Sequence, residues 1–116
     1  MHLEPVEEDP AAAERRRSRD RLLEMLERTA AFYVRYLWDS GEAEPARAYL
    51  AGRGLDEAVL REFRVGYAPS AYDTLLRAVR RGGFSNREVF DAGLAVRSKG
   101  EGMLYDRFRR RIMFPL

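Results

Sequence analysis

An apolar stripe in the first third of the chain predicts a long α-helix. From Asp20 onward, apolar side chains recur at steps of three and four residues, the spacing of one helix face. A helix over about residues 20–39 accounts for this spacing, and its start can lie further upstream. Gly41 and Pro45 end it. The stripe consists of Leu22, Leu26, Thr29, Tyr33 and Leu37, flanked by Met25, Phe32 and Trp38.

Two short helices are predicted next. Residues 45–55, "PARAYLAGRGL", have Pro45 in the first turn, where its missing N–H is harmless, and Gly54 near the end, where a left-handed residue stops helices. Asp56 can cap a third helix that extends to about Phe63. The side chains expected to be buried on this third helix are Val59, Leu60 and Phe63.

Two more helices follow a short extended segment. Pro69 forces the residue before it out of helical geometry, so residues 64–69, "RVGYAP", are expected to be extended. The next helix covers about residues 71–81 and stops at two glycines. "SNRE" then matches a capping box and opens a helix over about residues 85–92. The apolar positions of the first of these two helices are Leu75, Leu76 and Val79.

After Gly93 the apolar period drops to two, which is typical of strands. "LAVRS" and "MLYDRF" flank "KGEG", a four-residue loop with two glycines, and this arrangement predicts a β-hairpin. Residues 104–114 are predicted to form one continuous strand. The fold class is therefore α+β, with a helical N-terminal part followed by a small antiparallel sheet.

Alternate positions of this last strand carry arginines. In an extended strand, Tyr105, Arg107, Arg109 and Arg111 project from one face, with about 6.6 Å between successive arginines. That step resembles the distance between phosphates of an extended nucleic acid strand. The planar guanidinium suits phosphate oxygens, and the Tyr105 ring offers a surface for base stacking. Arg110 falls on the apolar face and marks a bulge or an edge. Alternatively, this is an ordinary solvated face whose charges Asp106 and nearby acids neutralise.

The charge of the chain is unevenly distributed. The formal net charge is +2, but residues 1–60 carry 9 basic and 13 acidic side chains, whereas residues 61–116 carry 12 and 6. The second half is therefore the candidate for contact with a polyanion. Of the 21 basic residues, 20 are Arg. Genome composition alone can produce that bias, so the positions of the arginines matter more than their number.

Several classes of chemistry lack the residues they need. The chain has no cysteine and one histidine, His2, so neither a disulfide framework nor a zinc site is expected. No serine has a histidine partner for nucleophilic catalysis, and no paired acids would hold two divalent ions. No catalytic or metal-binding residue is predicted.

No apolar run is long enough for a membrane span, and the acidic start is unlike a secretory signal. A cytoplasmic protein with a flexible linker over residues 1–19 and one domain over residues 20–116 is expected.

Five strings, in this order and spacing, resemble the bacterial DNA primase family of the DnaG type. The resemblance is to the N-terminal subdomain of the family's RNA polymerase core and covers about residues 29–116. One departure is Tyr72, which stands where many relatives have Trp, and its ring is expected to keep the same packing. The strings are "ARAYLAGRGL" (46–55), "FRVGYAP" (63–69), "YDTLLRAV" (72–79), "DAGLAV" (91–96) and "YDRFRRRIMFPL" (105–116).

The resemblance implies that this chain is a piece of a longer enzyme that synthesises RNA primers on single-stranded DNA. In the family, a zinc-binding domain precedes this segment, a Toprim domain with Mg²⁺ or Mn²⁺ follows it, and a terminal domain contacts the replicative helicase. Partners implied are the template, the RNA primer and nucleoside triphosphates. The resemblance places Arg53 near the template path, and Arg107, Arg109 and Arg111 in the family's basic strand. The segment alone is expected to be inactive.

Two other functions remain open at this point. The long helix could instead dock a protein partner through Leu22, Leu26, Tyr33 and Trp38, with the basic strand as ordinary surface. A truncated gene product without a function of its own is the other possibility.

Overall fold

The computed structural model describes residues 9–100 and 102–115 and has the predicted α+β architecture, helices first and short antiparallel strands at the end. Its helices are α1 (Pro10–Asp39), α2 (Glu44–Gly52), α3 (Glu57–Glu62), α4 (Thr74–Arg81) and α5 (Asn86–Asp91). Its strands are β1 (Gly66–Ala68), β2 (Ala95–Arg97), β3 (Leu104–Asp106) and β4 (Arg111–Met113).

Helix α1 starts well upstream of Asp20. Asp9 is its N-cap and accepts a hydrogen bond from the Ala11 amide, and Pro10 occupies the first turn. Residues 10–19 of the predicted linker are therefore helical. Alanines and arginines there are strong helix formers, and they extend the helix without needing a core. Residues 1–8 lie outside the described part of the chain, and the division into linker and domain stays a prediction.

The buried face of α1 differs in part from the predicted stripe. Thr29, Tyr33 and Leu37 are buried as expected, but the ridge continues back to Met25 in steps of four residues. Leu22 and Leu26 lie beside that ridge, and each keeps 38% of its surface exposed. A helix packs against the rest of the fold along one row of side chains spaced four residues apart. The neighbouring row, although equally apolar, lies at the edge of this packed face and stays partly exposed.

Local capping signals are confirmed. Asp56 accepts the amide of Val59 at 2.9 Å and starts α3. Ser85 and Glu88 form both hydrogen bonds of the capping box at the start of α5.

Leu60 is buried, but the prediction for Phe63 is wrong, since its side chain is 65% exposed. Phe63 follows the last helical residue, and the next residue has a left-handed backbone, so the chain turns away there.

The strands form two separate two-stranded antiparallel sheets. β2 and β3 are the predicted hairpin, with Ala95 opposite Asp106 and Arg97 opposite Leu104. β1 pairs with β4, with Gly66 opposite Met113 and Ala68 opposite Arg111. The prediction of one continuous strand over residues 104–114 is wrong, because β3 and β4 belong to different sheets and the chain bends between them.

Two apolar clusters hold the fold together, and α1 contributes to both. The first joins Met25 and Tyr33 to α4, α5 and the hairpin. The second joins Leu37 to α2, α3 and β1. Strand β1 crosses α1 closely: a Cβ at Gly66 would lie 2.5 Å from the carbonyl carbon and the Cβ of Tyr33. Only glycine allows this contact, which brings β1 against the C-terminal third of α1.

Candidate nucleic-acid interface

The segment that joins the two sheets, residues 107–110, carries three of the four arginines in question. Its backbone is fixed at both ends. The N–H of Arg107 donates to the carbonyl of Leu94 at 2.9 Å, and the N–H of Arg110 donates to the carbonyl of Ala68 at 2.8 Å. Arg110 has a left-handed backbone, with φ of 53°. The sequence pattern predicts a bulge or an edge at Arg110, because this residue falls on the apolar face. In the structure, the chain turns at Arg110 from one sheet to the other.

Arg109 stacks between two tyrosines. Its guanidinium carbon lies 4.4 Å from the ring centroid of Tyr72 and 5.3 Å from that of Tyr105. The two rings meet edge to face with their centroids 5.7 Å apart. Cation–π contacts of this kind hold a guanidinium in place without neutralising its charge. We call Tyr72, Tyr105 and Arg109 the stacked trio.

The stacked trio is open to solvent on one side. Tyr72 is 64% exposed, and Arg109 and Tyr105 are half-buried. The ring of Tyr72 covers Arg109 at the surface, and the expectation that it keeps the packing of the Trp found in many relatives stays a prediction. An exposed ring beside an oriented guanidinium is a combination that can take a nucleic acid base and its phosphate.

The arginines predicted to share one strand face do not share it. Arg107 is exposed beside the ring of Phe108, with 5.7 Å between its guanidinium carbon and the ring centroid. Arg111 is exposed at the start of β4, opposite Ala68. Strict alternation fails because Arg110 interrupts the extended backbone between them. Of the predicted set, the structure brings Tyr105 and Arg109 into contact.

This group takes no part in the ion pairs of the described residues, although the charges of Arg109 and Asp106 interact. Within residues 9–100 and 102–115, no carboxylate forms an ion pair with Arg107, Arg109 or Arg111. Asp106, the nearest acid in sequence, turns inward instead. The alternative in which Asp106 pairs with its neighbouring arginines therefore has no support in the ion pairs of the described residues.

Asp106 is a structural residue that the sequence reasoning missed. It is 1% exposed, and its two carboxylate oxygens accept the amides of Leu75 and Leu76 at 2.9 Å each. Burial raises the pKa of this carboxyl, while the two amides and the charge of Arg109 oppose the rise. Asp106 thus caps α4 from another strand. No signal in the sequence indicated this role, because Asp73 occupies the N-cap position of α4 and only the structure shows that its side chain makes no capping bond.

The same residue ties the stacked trio together. The backbone N–H of Asp106 donates to the carbonyl of Tyr72 at 2.6 Å. Tyr105 and Arg109 lie on either side of Asp106 in sequence, so this bond and the α4 cap fix Tyr72 against them. Two chain segments that are distant in sequence are joined at this point.

Arg110 points toward a different neighbourhood from Arg109. Its charge acts on Glu42 and Tyr67. Glu42 accepts the Tyr36 hydroxyl at 2.5 Å and the Ser70 amide at 3.1 Å. Burial raises the pKa of Glu42, but the bonds from Ser70 and Tyr36, together with Arg110, hold that pKa below its ordinary value. Arg110 is therefore partly balanced by an ionised acid.

Arg53 lies apart from the other predicted site residues. It is the C-cap of α2, exposed, with its guanidinium carbon 5.9 Å from the ring centroid of Tyr49. Among the described residues, no hydrogen bond, ion pair or ring contact joins Arg53 to residues 105–111. The structure provides no evidence that Arg53 belongs to the same surface.

The described residues contain neither a metal-binding cluster nor a membrane-spanning helix. No group of three or more His, Cys, Asp or Glu side chains in that part of the chain is arranged to hold a metal ion. None of its helices combines the length and the apolar character that crossing a membrane requires.

The fold and this surface define an α+β subdomain with an exposed cationic and aromatic face. The chain belongs to the family described as DNA primase catalytic core, N-terminal domain, whose model matches residues 32–116. The DNA primase of Mycobacterium tuberculosis is 44% identical over 101 residues, which are 87% of this chain and 15% of the relative. That of Pseudomonas aeruginosa is 38% identical over 95 residues, 82% of this chain and 14% of the relative.

Solved structures agree with the family assignment. The RNA polymerase domain of the M. tuberculosis primase DnaG superposes with a TM-score of 0.77 at 43% identity, covering 84% of this chain and 30% of that one. A DnaG primase catalytic domain described as bound to ssDNA superposes with a TM-score of 0.75 at 36% identity, covering 86% and 32%. The chain thus spans about a third of the length of these solved domains.

Proposed function

We propose that this chain is the part of a DNA primase that holds the single-stranded template while primers are made. The observation that carries the proposal is the stacked trio, an arginine that two rings orient and that forms no ion pair among the described residues. Arg107 and Arg111 add exposed positive charge nearby. The similar catalytic domain bound to ssDNA supports the same ligand class.

The chain contributes binding and orientation, and other parts of the enzyme perform the bond-making step. Primer synthesis in the family relies on divalent ions, and the acids in the part of the chain that the structure describes are not grouped to hold one. Glu88 pairs with Arg21, Asp91 with Arg87 and Asp73 with Arg77. Asp106 is occupied by two backbone amides. We therefore expect no primer synthesis by this chain alone.

Other features of the whole enzyme are proposals of the same kind. A zinc domain before this segment, a Toprim domain with Mg²⁺ or Mn²⁺ after it, a helicase contact and a cytoplasmic location follow from family membership. The RNA primer and nucleoside triphosphates would meet the template next to this surface. A role for Arg53 in template binding is also proposed on that basis, whereas the boundary at residue 20 is proposed from the sequence pattern alone.

Substitution of the exposed ring tests the proposal. Stacking of a base on an aromatic side chain contributes roughly 1–3 kcal/mol, so Tyr72→Ala should weaken binding of a labelled single-stranded oligonucleotide by about fivefold or more. Phe63→Ala is the matched control, because Phe63, which directly follows α3, is an exposed ring of the same accessibility, 65% against 64% for Tyr72. Equal effects of the two substitutions would contradict the proposal.

One observation supports a second candidate function, the docking of a protein partner on α1. Leu23 is 58% and Leu26 38% exposed, and together with Phe114 they line an apolar groove of about 450 Å³ beside Tyr33. A groove of this kind suits a protein partner. Trp38 is not part of its lining. Leu26→Asp should abolish docking there and leave DNA binding intact, whereas Arg107→Ala/Arg109→Ala should have the opposite effects.

A further inference from the structure

A second cationic and aromatic site lies between α1 and α4. It is a cleft of about 540 Å³ whose lining includes Phe32, Arg35 and Tyr36 from α1 and Ala78 and Arg81 from α4. It continues into a neighbouring hollow that shares Phe32, Arg35 and Ala78 with it. We call this region the α1/α4 cleft.

The arginines of the α1/α4 cleft lack acid partners. Neither Arg35 nor Arg81 forms an ion pair within residues 9–100 and 102–115, and both are exposed. Asp39, the acid of the cleft lining, pairs with neither of them. The dipole of α4 accounts for an arginine in its last turn, but it does not account for Arg35 on α1. Two guanidinium groups that share a cleft and form no ion pair among the described residues favour an anionic ligand.

The aromatic lining connects this cleft with the sheet that ends the arginine segment. Phe32 and Tyr36 are stacked at 6.1 Å, and Tyr36 is stacked on Tyr67 at 6.3 Å between ring centroids. Tyr67 belongs to β1 and lies opposite Ile112 of β4, the strand that starts at Arg111. A row of rings therefore runs from the cleft to the strand that follows the stacked trio.

Helix α4 provides the spacing between the two sites. Asp106 holds the start of α4 next to the stacked trio, and Arg81 is the last residue of the helix. Eight helical residues span about 12 Å. An extended strand of about two nucleotides covers that distance, so a bound strand that leaves the stacked trio can reach the cleft.

We propose that the α1/α4 cleft is a second contact site for the single-stranded template, reached along α4 from the stacked trio. Arg35 and Arg81 bind phosphates, and Phe32 and Tyr36 pack against a base. This inference rests on the proposed function, since it extends the same template path. Rings combined with unpaired arginines favour nucleic acid over an acidic peptide, which needs the charge but not the rings.

Oligonucleotide binding by the whole 116-residue chain tests this proposal. With about 0.7 log units of salt slope for each single-strand phosphate contact, Arg35→Gln/Arg81→Gln should reduce the magnitude of the slope by about 1.4 on an oligonucleotide of about ten nucleotides. In an oligonucleotide of about two nucleotides, one nucleotide occupies the stacked trio and the other is too short to reach the α1/α4 cleft, so this oligonucleotide should bind both proteins equally. Circular dichroism at the assay temperature shows that the variant is folded.

Arg15→Gln/Arg19→Gln is the matched control. Arg15 and Arg19 are exposed, lie in the first half of α1 and form no ion pair among the described residues. Their substitution removes the same number of positive charges as Arg35→Gln/Arg81→Gln. They should change the slope by less than half as much. If both double variants have the same slope, the α1/α4 cleft is not a contact site. If the wild-type chain shows no salt-dependent binding to either oligonucleotide, the proposed function itself fails, and this inference fails with it.

Discussion

At the scale of single residues, Asp106 connects the stability of the fold with the geometry of the binding surface. Its carboxylate caps α4, and its amide holds Tyr72 in place. The sequence indicated Tyr105 and Arg109 as site residues because their types and spacing suit nucleic acid. It did not indicate Asp106 or Tyr72, since their roles depend on a contact between the start of α4 and β3 that no local pattern encodes.

Removing the charge of Asp106 should destabilise the chain. Asp106→Asn keeps the size of the side chain but replaces one charged acceptor of the α4 cap with a donor, at a cost of roughly 1–2 kcal/mol. For a domain of this size, that lowers Tm by about 4–8 °C in a thermal melt. Asp73→Asn is the control, because Asp73 makes no capping bond. Equal melting temperatures of the two variants would rule out the capping role.

The pair between Glu88 and Arg21 makes stability depend on acid pH. The hydrogen bond from Arg21 lowers the pKa of Glu88 from its ordinary 4.5 to about 2. Because the folded pKa is the lower one, the contribution is complete above pH 4.5 and disappears as the pH falls toward 2. Both side chains are partly exposed, at 47% for Arg21 and 31% for Glu88, which limits the contribution to about 1 kcal/mol.

Urea unfolding of the wild type and Glu88→Gln measures this dependence. The wild type should be more stable at about pH 6, and the difference should shrink at about pH 2.5. Glu88 is also a member of the capping box, so Ser85→Ala serves as a comparison that removes a cap without removing a titrating group. A difference between wild type and Glu88→Gln that is the same at both pH values would contradict the assigned ion pair.

At the scale of elements, local signals were predictable and long-range pairing was not. The capping box at Ser85 and the hairpin around "KGEG" depend on residues close in sequence, and both are confirmed. The pairing of β1 with β4 joins distant segments, and it separates β4 from β3. An alternating pattern cannot show where a strand changes sheets, so the left-handed Arg110 was indicated only as an irregularity.

The crossing of β1 over α1 should be intolerant of any side chain. Gly66→Ala would place a Cβ 2.5 Å from the backbone of Tyr33, so one of the two elements must move. We expect a loss of roughly 1–3 kcal/mol in urea unfolding, typical of overpacking. Gly52→Ala is the matched control, since a Cβ there meets nothing within 4 Å and helical alanine is favoured over glycine. A neutral Gly66→Ala would show that this contact is looser than described.

At the scale of the whole molecule, the arginine segment links two halves of the fold. Residues 107–110 pass from the hairpin, which packs on the first apolar cluster, to β4, whose Ile112 packs on the second. Both ends are fixed by backbone hydrogen bonds to Leu94 and Ala68. The segment is thus held by rigid elements on both sides, which is the condition for a binding surface whose cations keep their positions.

The salt dependence of single-stranded DNA binding tests the central claim most directly. Arg107→Ala/Arg109→Ala/Arg111→Ala should reduce the magnitude of the log–log salt slope by about 2 relative to the wild-type chain, at about 0.7 for each lost phosphate contact. Replacing three arginines elsewhere, Arg15, Arg19 and Arg87, by alanine serves as the control for net charge. A wild-type slope that the triple variant at residues 107, 109 and 111 leaves unchanged would show that this segment does not bind the template.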